Sequence, residues 1–137
     1  MSFARKLDRE VSGGRPFDCL ITGDAELRRL NRKFRGKDEA TDVLSFPVGQ
    51  ASRPVRTGRE ACPTSLGDIA ISLARARRQA REFGHTTQQE IRVLMLHGVL
   101  HLLGLDHESD HGNMARAEKR WRARLGLPNG LIERVRS

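Results

Sequence analysis

The sequence is short of several things, and each shortage removes a class of protein. It has no tyrosine, one tryptophan and five phenylalanines in 137 residues, too few rings for an open platform on which nucleobases stack. Its two cysteines, Cys19 and Cys62, lack both CxxC spacing and the density of a disulfide-held secreted scaffold, so a reduced, cytoplasmic protein is expected. The opening MSFARKLDREV holds no apolar run, and no later stretch reaches membrane-spanning length, so neither a signal peptide nor a transmembrane helix is expected. Repeats, low-complexity runs and interdomain linkers are also lacking. One domain over residues 1–137 is expected, long enough to bury a core without disulfides.

Negative charge is the other scarce quantity. Seventeen Asp and Glu stand against 25 Lys and Arg, a formal net charge of +8. Most of the cations are arginines, whose planar fork grips phosphates. Small proteins are often basic for solubility alone, so the charge points to a polyanion such as nucleic acid only alongside a site.

That site is present in HGVLHLLGLDH, His97 to His107. On an α-helix, positions four apart lie about 40° apart around the axis and about 6 Å along it. His97 and His101 therefore aim at one point beside the helix. Gly104 suits the reversal at a helix C-terminus, which lets His107 close a third side. Three imidazoles with a fourth position open describe a catalytic rather than a structural zinc site. The alternative is a buried helix whose histidines are satisfied by hydrogen bonds. Between Val93 and Leu105, however, nearly every other residue is Leu, Met, Val or Gly, which offers polar rings no partner. The spacing is that of the metzincin peptidases, HExxHxxGxxH, with Gly98 where their general-base glutamate stands. The pattern keeps a metal and drops the peptidase base.

The rest of the chain predicts an α+β fold: a small mixed β-sheet packed against helices, with the buried HxxxHxxGxxH helix central. Helices are expected over Phe3–Val11, over Ala25–Phe34 with Asp24 or Thr22 as cap, and over Leu73–Phe83 with Ser72 as cap and Gly84 as stop. The central helix starts at Thr86, where Gln89 completes a capping box, and runs to about Leu103. A last helix, Asp110–Leu125, should turn Met114, Trp121 and Leu125 inward. Strands are expected at Phe17–Ile21, at Asp42–Phe46 with Pro47 as terminator, and at Leu66–Ser72 by alternation. Gln50–Ser65, rich in Arg, Pro, Thr, Ser and Gly, reads as a long loop. Leu127–Ser137 is left unassigned.

Three blocks of this sequence together resemble one family. HGVLHLLGLDH looks like the HGxLHLxGxDH signature of the YbeY family of bacterial endoribonucleases. RGKDEATDVLSFP (from Arg35) resembles that family's RGKDxPTDVLSFP block, and LGDIAIS (from Leu66) its LGDIxIS strand. The blocks occur in the family's order and anchor roughly Leu27 to His107. The resemblance implies an α/β sandwich and metal-dependent cleavage of single-stranded RNA, serving 16S ribosomal RNA 3′-end maturation and ribosome quality control. It implies zinc at His97, His101 and His107, and a functional role for Arg35. Its partners would be ribosomal RNA, the small ribosomal subunit and assembly factors, with neither membrane nor DNA. Two departures stand out: Ala40 replaces the usual proline, and members usually open with a strand before the first helix, where this chain has the helix.

Physically, Arg35 suits a cationic clamp on a phosphate, and Lys37 is a weaker candidate. Asp106 suits a hydrogen bond to a ligand imidazole or an ordinary turn. Asp42 and Asp68 read as structural, His85 as a surface loop residue, His111 as solvated and Met114 as core. Three imidazoles also suit nickel and other divalent ions. Two rival functions remain: a zinc peptidase without its glutamate, and a ribosome-binding module with a structural metal.

Overall fold

A computed structural model describes residues 3–47, 66–104 and 112–128. In chain order they form α1 (Phe3–Glu10), β1 (Phe17–Thr22), α2 (Asp24–Arg35), β2 (Val43–Pro47), β3 (Gly67–Ser72), α3 (Leu73–Phe83), α4 (Thr87–Leu102) and α5 (Asn113–Leu125). The expected loop at residues 50–65 lies outside the described residues.

The sheet has three described strands in the order β1-β3-β2. β3 runs parallel to β1, with Phe17 opposite Gly67, and antiparallel to β2, with Ser45 opposite Ile69. The expected mixed sheet is therefore present. The strand expected from LGDIAIS is present as β3, and all six of its residues are buried. The reason is its central place. Ile69 and Ile71 join the core with Val93, Leu94, Leu96 and Leu100 of α4, while Ala70 joins Leu27 and Leu30 of α2 with Leu44 and Phe46 of β2. Each sheet face carries its own apolar layer, as period-two geometry requires of a strand covered on both sides. Phe34 closes the α2 layer edge-on to Phe46, with ring centroids 5.1 Å apart. α1, α3 and α5 pack around α4 on the opposite face.

The helix ends follow local chemistry, with one correction. Ser72 caps α3 by accepting from the Arg75 N–H, and Thr86 and Gln89 form the reciprocal capping box of α4. α2, however, begins at Gly23 with no side-chain cap. Asp24 is instead its first helical residue, accepting from the Ser72 hydroxyl (2.6 Å) and from Arg75 (3.1 Å). Its carboxylate ties α2 to the β3–α3 junction. Pro47 is the last residue of β2 rather than the residue after it, a place where no ladder N–H is required. Burial pushes the Cys19 thiol up to about 12, so it is no nucleophile at neutral pH.

Candidate metal centre

Helix α4 is built to carry polar groups through an apolar interior. Its residues Val93 to Leu100 are all buried, His97 and Gly98 among them. Accessibility rises along its last turn: His97 is 8% exposed, His101 is half-buried, and Leu103 is 37% exposed. The two histidines thus stand where the core gives way to the surface. Gly104 follows with φ +94°, the left-handed conformation expected after the helix.

The rings of His97 and His101 converge. Their Nε2 atoms lie 3.2 Å apart, with ring planes at 75°. Two nitrogens held by one tetrahedral zinc at 2.0–2.1 Å would be separated by about 3.3 Å. The pair therefore fits a shared divalent ion of that size, and equally a direct hydrogen bond between the two rings. Neutral imidazoles are also the commonest metal ligands. The third expected ligand, His107, lies outside the described residues, as do Asp106 and His111. Among the described residues there is no group of three metal-binding side chains.

The other edge of His97 is turned to Glu118. Its Nδ1 lies 2.8 Å from Glu118 Oε2, and the glutamate side chain is 1% exposed. A buried carboxylate on Nδ1 selects the tautomer with the proton there, leaving the Nε2 lone pair directed at His101. The sequence reading did not single out Glu118. A signal existed: it lies four residues after Met114 on α5, an acid on the stripe that Met114, Ala117 and Trp121 turn inward. Met114 itself is core, as expected.

Gly98 has a packing explanation. A Cβ there would stand 3.0 Å from both Cδ1 and Cγ2 of Ile69, and the Gly98 carbonyl accepts from the Ser45 hydroxyl (3.1 Å). At this point the α4 backbone lies directly on β2 and β3. A glutamate in the peptidase position would have to push Ile69 aside by a few tenths of an ångström.

The remaining candidates fall elsewhere. Arg35 is exposed at the C-terminal end of α2, the helix on the opposite sheet face, and no hydrogen bond or ion pair joins it to His97 or His101 among the described residues. Its loop is nevertheless anchored. Asn31 donates to the Glu39 carbonyl (2.9 Å), and Arg28 donates twice to Asp38, holding that carboxyl below its usual range. Lys37 is likewise exposed. Asp42 is structural, accepting from the Val43 N–H and from Gln79. Asp68 is wholly buried in β3. His85 departs from its expected surface role: its side chain is 8% exposed and its Nε2 lies 2.6 Å from the wholly buried Glu90. Gly84 turns the chain so that His85 faces the first turn of α4.

Comparison with known proteins agrees with this architecture. A family model described as endoribonuclease YbeY matches residues 4–126. An endoribonuclease YbeY of Solibacter usitatus is 68% identical over 135 residues, covering 98% of this chain and 83% of its own length. One from Nautilia profundicola is 48% identical, covering 85% of this chain and 77% of its own. A solved solution structure of a Thermotoga maritima protein is 30% identical, covers 87% of this chain and 75% of its own, and superposes with a TM-score of 0.55.

Proposed function

The chain belongs to the endoribonuclease YbeY family, and from that premise we propose that it cuts single-stranded RNA with one divalent ion held by His97, His101 and His107. Zinc is the first choice and nickel the alternative. The substrate would be 16S ribosomal RNA near its 3′ end, cut in maturation and ribosome quality control in the cytoplasm, with the small subunit and its assembly factors as partners. The observation that carries the metal reading is the 3.2 Å approach of the two Nε2 atoms while His97 Nδ1 faces Glu118.

A bound ion would supply Lewis acidity towards a phosphodiester and towards water. The protein's own groups supply the rest. His97 and His101 present neutral lone pairs from one rigid helix, so little order is lost on binding. Arg35, the last residue of α2, lies across the sheet from the histidines and would donate a bidentate pair of hydrogen bonds to a phosphate of the bound RNA. Gly98 leaves no glutamate in the position of the peptidase base, which favours the nuclease over the zinc-peptidase reading.

The test is His101→Ala, assayed for bound zinc and for cleavage of a single-stranded RNA, with chelator-treated wild type alongside. Metal content and cleavage are expected to fall together, cleavage by about 100-fold or more. Full cleavage by a metal-free variant would overturn the mechanism. Cleavage of unfolded protein instead of RNA would restore the peptidase.

A further inference from the structure

We infer that Glu118 is a positioning residue, holding His97 in the one tautomer and orientation that can bind a cation. The inference rests on the metal reading above and concerns a residue on the next helix, 21 residues beyond His97. Glu118 comes from α5 and His97 from α4, and their side chains are 1% and 11% exposed. A carboxylate placed so deeply is costly unless a donor meets it, and the His97 Nδ1–H does so at 2.8 Å.

The geometry gives this contact a direction. With its proton on Nδ1, His97 has a lone pair on Nε2, the atom 3.2 Å from His101 Nε2. With its proton on Nε2, the ring would offer a donor to that shared point and no lone pair to a cation. The nearby carboxylate therefore selects the ligating form. It also stops the ring rotating about its Cβ–Cγ bond. No other described helix brings an acid to His97, so the docking of α5 onto α4 completes the site.

Three proteins decide the matter: wild type, Glu118→Gln and Glu118→Leu. Gln keeps an acceptor of the same shape without the charge, whereas Leu removes the acceptor. The first readout is zinc affinity by competition with a chromogenic chelator. It should fall about 10- to 100-fold for Leu and by less for Gln. The second uses metal-free protein and nitrogen NMR of the His97 ring. Wild type and Gln should carry the proton on Nδ1, and Leu should show a mixture or the Nε2 form. The second readout on wild type and Gln stands even if the Leu variant fails to fold. Equal zinc affinity in wild type and a folded Leu variant overturns the inference alone, as does an Nε2-protonated His97 in wild type. No zinc binding by wild type at all overturns the metal reading together with it.

Discussion

Position 98 shows how a single residue decides which chemistry a motif can perform. The sequence alone makes Gly98 a missing glutamate. The structure makes it a contact point, where a Cβ would meet Ile69 at 3.0 Å. Ile69 is wholly buried on the central strand and β-branched, so it has little room to yield. Gly98→Glu is expected to destabilise the protein by more than about 3 kcal/mol, from overpacking and a buried carboxylate together. Urea denaturation measures it. A variant as stable as wild type would mean that the helix can lift off the sheet. The convergence of His97 and His101 was legible because it is a property of one helix. Glu118 and the burial of His85 were not, because both depend on which helix docks beside α4 and how the Gly84 turn is aimed.

Elements whose ends are set by local chemistry were legible in the same way. The caps at Ser72 and Thr86 fall where the sequence places them, since each bonds within its own turn. The start of α2 does not, because Asp24 is drawn away by Ser72 and Arg75 across 48 and 51 residues. That tie has a pH signature. The Ser72 hydroxyl, and then the charges of Arg75 and Arg78, hold the Asp24 carboxyl below its ordinary range. A carboxyl depressed by folding contributes stability above its unfolded pKa of about 3.9, and that stability disappears as pH falls through the folded value. Asp24→Asn should therefore melt below wild type at pH 7, with the gap closing below about pH 4. The loss should stay under about 1 kcal/mol, because the Asp24–Arg75 pair is about one-third exposed and screened by solvent. A gap that does not narrow at all as pH falls below about 4 would refute the electrostatic account.

On the scale of the whole molecule, charge and topology matter most. The formal +8 predicts that RNA binding is salt-sensitive, with log K for the proposed single-stranded substrate falling against log salt by about 0.7 for each phosphate contacted. The slope should be smaller than the count of cations suggests. Arg28, Arg29 and Arg75 already face Asp38, Glu26 and Asp24. Binding that ignores salt between 50 and 500 mM, measured by fluorescence anisotropy on about a decade of ionic strength, would remove phosphate contact from the proposal. The fold class, the mixed sheet and the central helix were legible from hydrophobic pattern. The strand order was not, since pairing between distant segments leaves no local mark.

That order has a consequence for synthesis. The strand in the middle of the sheet is the last of the three described strands to leave the ribosome, and among the described residues both outer strands pair with it alone. Until residue 72 has emerged, β1 and β2 expose unmatched backbone edges, and the apolar face of α2 has only half its bed. A nascent chain halted before β3 carries all the arginines of α2 and two outer strands without the strand that joins them, so its first half depends on the second for shelter.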